Sequence, residues 1–146
     1  MPSLTLPLNP HGPIVIVGLM VSTPRRKALV AAGKPLPPTV FLSLLVDTGA
    51  SGTCIDQSHF PKLGILPSGF VMVHTPTTAG TAIRRNQYDV DIGIILGNGS
   101  FHLVDTLPVV ESSVACQGID GLLGRDVLSQ GIFIYNGPAK TYTLSF

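Results

Sequence analysis

Apolar and polar positions along this chain exchange with a short period. Residues 3–8 alternate leucine with small or polar residues, and 13–21 is a β-branched run suited to a half-buried sheet. Strand character returns at 39–46, 53–55, 70–74, 81–96, 100–110, 132–135 and 140–146. The terminal strand at 3–8 needs an edge to pair with, and a second chain is one possible source. Asn98-Gly99 and Asn136-Gly137 are strong two-residue hairpin signals between such runs.

The intervals carry turn chemistry. Residues 22–38 hold Pro24-Arg25-Arg26-Lys27, Gly33-Lys34 and Pro35-Leu36-Pro37-Pro38, and are predicted to form a long exposed loop. That loop reads as a solubilising hairpin tip, with a docking patch as the sharper alternative. Residues 56–69 contain Pro61, Gly64, Pro67 and Gly69 and are predicted to be loop as well. Residues 75–81 are small and polar between two β-rich arms, the tip of a long hairpin. A short helix is expected over 125–130, closed by Gly131 as its C-cap. One short C-terminal helix among roughly ten strands makes the chain all-β, a closed or folded-over barrel.

Composition narrows the function classes. A chain of 146 residues is expected to form one domain, 1–146, with its own core. At 45% hydrophobic and 12% charged, it is too apolar for disorder. A net charge of +1 supplies no field for nucleic acid, and the absence of Trp removes the best base-stacking side chain. Cys54 and Cys116 need not pair; Cys54 reads as a small core residue, and a reducing compartment fits. The apolar run 14–21 is too short to span a bilayer and no basic leader precedes it, so a soluble, cytoplasmic chain is expected. His11, His59, His74 and His102 lack ligand spacing, so neither a metal nor any other cofactor is expected.

One stretch stands apart. In Leu44-Leu45-Val46-Asp47-Thr48-Gly49-Ala50-Ser51 a buried strand ends abruptly on a carboxylate, a hydroxyl and a glycine. A charge beside so apolar a segment is paired or used. Far downstream comes Ile119-Asp120-Gly121-Leu122-Leu123-Gly124-Arg125-Asp126-Val127-Leu128. Together, in this order and separation, the two stretches resemble the retropepsin family, the single-domain aspartic proteases of retroviral type. Gln87-Tyr88-Asp89-Val90-Asp91-Ile92 is similar to the strand leaving that family's flap, and Thr143-Leu144-Ser145-Phe146 to its terminal strand. The resemblance covers roughly residues 13–146.

The resemblance implies an acid-protease barrel and an aspartic endopeptidase acting on peptide or protein substrates. Peptide hydrolysis by this route uses two carboxylates about one water, and two so close cannot both ionise. The chain has a single Asp-Thr-Gly, so the second carboxylate must come from another copy, giving a homodimer with Asp47 and its symmetry mate on the axis. Thr48 then corresponds to the threonine bonding across the dyad, and Gly49 to the turn residue and peptide acceptor. Ala50 and Arg125 support the turn and the dimer. Thr77, Thr78, Ala79 and Gly80 form the flap tip over the substrate, and Leu122 lines the groove while Leu123 packs inward. Asp120 is a weaker candidate for facing the groove and favouring basic substrates.

Three departures matter. Position 51 is serine where viral members place an aspartate, which removes one expected partner of Arg125. The flap has a single glycine, and the 25–38 segment is long, pointing to a cellular, bacterial or retroelement-derived relative. A non-catalytic retropepsin-like module for peptide binding or dimerisation is the alternative function. A third reading, the phosphate turn of an actin-like ATPase, needs a longer chain with alternating helices.

Overall fold

The structure, a computed structural model, describes residues 1–76 and 79–146. Ten strands dominate it, and their alternation explains the core. In β2 (Ile14–Val21) the side chains of Val15, Val17, Leu19 and Val21 point inward, and β3 (Val40–Val46) adds Leu42, Leu44 and Val46. The strands β4 (Cys54–Asp56), β6 (Ile83–Ile95), β7 (Phe101–Ser112) and β8 (Gly121–Leu123) complete a six-stranded ring. Its order is β2-β3-β8-β4-β7-β6, closed because β6 also pairs with β2. Closure leaves this barrel without free edges, which is how an all-β chain of this size hides its ladder groups.

β6 is long enough to serve two structures. Its second half lies in the barrel, while among the described residues 83–86 pair only with β5 (Gly69–Val73), in a register that runs from Gly69↔Gln87 to Val73↔Ile83. The β5–β6 pair thus projects as a two-stranded arm. The expected tip at 75–81 lies at its end, with Thr77 and Thr78 outside the described residues.

A second, three-stranded sheet packs beside the barrel. β1 (Ser3–Pro7) finds its partner within the same chain, antiparallel to β10 (Thr141–Ser145), which hairpins with β9 (Ile132–Asn136). Tyr142, fully buried, donates its hydroxyl to the Ile14 carbonyl and ties this sheet to β2; burial pushes its phenol up to about 12. Among the described residues no helix is long and apolar enough to cross a membrane.

Three local expectations are corrected. The 22–38 segment is not loop throughout, since α1 occupies Thr23–Ala31. Ser22 caps it, accepting from the Arg25 amide at 3.4 Å, and Pro24 suits its first turn. No α1 residue is buried; the helix is tied down by Asp91, a fully buried carboxylate on β6. Asp91 accepts from the Thr23 amide (3.0 Å), Thr23 hydroxyl (2.7 Å), Arg26 guanidinium (2.6 Å) and Thr106 amide (2.8 Å). Four donors around one carboxylate offset its burial.

The 56–69 segment likewise contains a 3-10 turn, Gln57–His59, followed by α2, Phe60–Leu63. Burial of Phe60 and Leu63 and the Asp56 cap supply the reasons. Third, the C-terminal helix α3 (Arg125–Leu128) ends at Ser129 rather than using Gly131 as a cap. Gly131 is needed for space instead, because a Cβ there would stand 2.2 Å from the Ser145 carbonyl oxygen.

Candidate active site

Asp47 is delivered by a parallel pairing. β3 runs beside β8, with Val46 opposite Leu123, and the Asp47 amide continues the ladder by donating to the Leu123 carbonyl at 3.0 Å. The chain then turns. The Gly49 amide donates to Asp47 Oδ1 at 2.8 Å, and the Ala50 amide to the Asp47 carbonyl at 3.2 Å. Gly49 does not use the left-handed region here; a Cβ on it would come within 3.1 Å of Asp47 Oδ1. Its role is therefore to let an amide approach the carboxylate. Asp47 is half-buried, whereas Thr48 and Gly49 are exposed.

The downstream stretch grips this turn from the other side. Arg125 Nη1 donates to the Thr48 carbonyl at 2.8 Å and the Arg125 amide to the Ala50 carbonyl at 2.9 Å. Among the described residues no carboxylate pairs with its guanidinium. The corner left without an aspartate at position 51 is tied differently. Asp126 accepts from the Thr53 amide (2.9 Å) and hydroxyl (2.8 Å), and Thr53 Oγ1 in turn accepts from the Gly124 amide (3.1 Å). The sequence reading missed this pair. Its only signal was an acidic residue in the first turn of the expected helix, where a carboxylate has donors within reach.

The two glycines of the downstream stretch explain how close the segments come. A Cβ at Gly121 would lie 2.2 Å from the Cys54 carbonyl oxygen, and one at Gly124 would lie 2.5 Å from Gly52 backbone atoms. Leu122, between them, faces the same space as Asp47, and Leu123 is fully buried.

That space is a cleft of about 870 Å³. Asp47, Gly49 and Leu122 form its floor, and the inner face of the β5–β6 arm forms its roof through Val71, Val73 and Ile83. Thr75 and Pro76 line it near the tip. Ala79 and Gly80 stand exposed at the tip itself, at φ +48° and +80°. Two assignments change. Cys54 is not sealed in the core but sits on the cleft wall, and burial pushes its thiol up. Asp120 does not face the cleft; it accepts from the Ser43 amide at 2.8 Å and bonds His59 Nε2 at 2.9 Å. Among the described residues no group of three or more His, Cys, Asp or Glu side chains is placed to hold a metal ion.

Asp56 positions the far wall, which Val114 and Gln117 help to line. Its carboxylate accepts from the Ser58 hydroxyl (2.7 Å) and amide (3.1 Å) and from the Val114 (2.9 Å) and Ala115 (3.0 Å) amides. Burial raises the carboxyl, but these bonds outweigh it and hold it at about 2, below the ordinary 3.8. A lowered folded-state value means stability that is present above about pH 4 and is lost as pH falls through about 2. Asp56→Asn, which turns a donor toward those amides, is expected to cost on the order of 2 kcal/mol near pH 6. The gap to wild type should close below pH ~2–3 in denaturant titrations. A pH-independent gap would mean that the charge is not what anchors this wall.

A model of the aspartyl protease family matches residues 37–127, which includes both stretches of the site. The chain belongs to the aspartyl protease family. Among solved structures, the fold is similar to that of a retropepsin-like aspartic protease from Rickettsia conorii, with a TM-score of 0.57 at 15% identity. That match covers 97% of this chain and 89% of the other. Such low identity speaks for the fold alone, and the fold it supports is the retropepsin-like barrel. Comparison with curated proteins gives no sequence match.

Proposed function

We propose that residues 1–146 act as one aspartic endopeptidase domain, whose dyad is Asp47 and the Asp47 of a second copy. The observation that supports this is the isolation of Asp47 on the floor of the cleft. The other acid on the walls, Glu111, has both oxygens engaged, by the Asn86 amide (3.1 Å) and side-chain nitrogen (3.3 Å). Among the described residues the Asp47 carboxylate accepts only from the Gly49 amide, through one oxygen, which leaves its second oxygen for water or a partner carboxylate.

In the dyad one carboxylate is ionised and takes a proton from water as it attacks the peptide carbonyl. The other carboxyl donates its proton to the carbonyl oxygen. As the C–N bond of the tetrahedral intermediate breaks, the first carboxyl gives the proton it took from water to the leaving amine and the second takes one back from a hydroxyl of the intermediate. The exposed Thr48 hydroxyl bonds across the axis, and the Gly49 carbonyl accepts from the peptide backbone. Ala50 and Arg125 hold the turn, and Leu122 packs against substrate. The tip residues Thr77, Thr78, Ala79 and Gly80 close over an extended peptide, adding backbone hydrogen bonds. Because Asp56 titrates at about 2, the far wall stays anchored at the mildly acidic pH such a dyad favours.

The half-site arrangement makes activity depend on association. Specific activity is expected to fall on dilution through the dimer dissociation constant, approaching second order in chain concentration. Excess Asp47→Asn chains mixed with wild type should suppress turnover, because mixed dimers carry half a dyad. Concentration-independent activity from a species that sediments as a monomer would sink the proposal. A chain that dimerises and binds peptides but cleaves none between pH 3 and 7 would select the non-catalytic module.

A further inference from the structure

Arg84 and Arg85 are neighbours on β6 with opposite surroundings. Arg84 lies on the outer face of the arm, its guanidinium 4.1 Å above the Phe70 ring. Arg85, opposite Val71 on β5, lies on the inner face and lines the cleft. Among the described residues it has neither a carboxylate partner nor a ring to stack on. Its companions on that face are Val71, Val73 and Ile83, which solvate no charge. The cleft's other titratable side chains are Asp47, Cys54, His74 and Glu111, and Glu111 is capped by Asn86. A permanently charged, fork-shaped donor thus faces a largely apolar groove without a partner of its own.

We infer that Arg85 is a specificity-determining residue that selects substrates carrying an aspartate or glutamate side chain a short way along the peptide from the cleavage point. The inference rests on the peptide-cleaving reading of the cleft and adds the class of substrate. Bidentate pairing with a carboxylate is the interaction the guanidinium geometry favours. Arg85 lies two residues nearer the barrel than Ile83, about 7 Å along the strand, so the recognised side chain stands off the scissile bond. In a two-fold dimer the site occurs twice, and acidic preference extends to both sides of the bond at matching distances.

Cleavage of a proteome-derived peptide mixture by wild type, Arg85→Gln, Arg85→Lys and Arg85→Glu chains tests this. Wild type should favour Asp or Glu over Gln by about tenfold in kcat/KM at one subsite on each side. Arg85→Gln should erase that preference, Arg85→Lys retain part of it, and Arg85→Glu convert it to a preference for Lys or Arg. Cleavage without acidic preference, or a profile unchanged in Arg85→Gln, overturns the inference and leaves the protease reading standing. Binding of fluorescent Glu and Gln peptide pairs to the Asp47→Asn chain separates the two ideas. An acidic preference in binding supports the role of Arg85 even if wild type cleaves nothing, whereas equal binding of the pair overturns it.

Discussion

Asp47→Asn is expected to lower kcat by about 10⁴-fold or more while leaving the fold intact, because the proposed dyad would then lack its acid and its base at once. The size of the loss follows from what asparagine cannot do: it takes no proton from water and gives none to a carbonyl oxygen. Local structure should survive. Among the described residues the one side-chain bond that Asp47 makes is from the Gly49 amide at 2.8 Å, and an asparagine side-chain oxygen accepts it equally well. Melting temperatures within about 2 °C of wild type, together with peptide affinity retained, would locate the loss in chemistry. Turnover near the wild-type rate in this variant would remove Asp47 from the reaction and with it the dyad.

Gly124→Ala is expected to damage both stability and the site. Its Cβ would be placed 2.5 Å from the Gly52 carbonyl carbon and oxygen and 2.9 Å from the Thr53 amide nitrogen. All three are backbone atoms, so no side chain can rotate out of the way. The α3 start must move off the 52–53 strand entry, stretching the Gly124 amide to Thr53 hydroxyl bond and the Asp126–Thr53 pair. A cost of about 2–4 kcal/mol is the scale for such overpacking, a fall of roughly 5–15 °C in melting temperature. Activity below the melting transition should fall further than dimer content does, since Arg125 follows Gly124 directly and holds the Thr48 carbonyl. Gly69→Ala is the control. Nothing lies within 4 Å of its added Cβ and its φ is ordinary, so a change within about 0.5 kcal/mol is expected. Equal effects at the two positions would refute the close-approach account.

Strands and hairpins were legible because period-2 alternation and Asn-Gly turns are local signals. Ile14–Val21 and Val40–Val46 emerge where the pattern put them, and Asn98 and Gly99, both at positive φ, do reverse the chain, though within a longer connection over 96–100 and not as a two-residue loop. The helix at Thr23–Ala31 was not legible. None of its nine residues is fully buried and Leu29 alone packs against the core, so they carry no broad apolar stripe, and the polar anchor that ties them down is a carboxylate 60 or more residues away. The 60–63 turn was hidden for a related reason, since two inward side chains are too few to show a helical period.

The sequence by itself determined the chemistry on offer: an Asp-Thr-Gly at the end of an apolar strand and a Gly-x-x-Gly-Arg that suits close backbone contact. Only the tertiary structure decided how those pieces are held. Parallel pairing of β3 with β8 sets Asp47 beside the Leu123 carbonyl, and the Thr53–Asp126 link ties the corner at which position 51 is serine. It also moved Cys54 onto the cleft wall, turned Asp120 away from the cleft, and separated Arg84 from Arg85 by a sheet's thickness. The physical reason is that a strand's pattern states which residues share a face but not which strand lies beside it. Parallel neighbours such as β3 and β8 come from distant parts of the chain, and their contact is fixed only when the barrel closes.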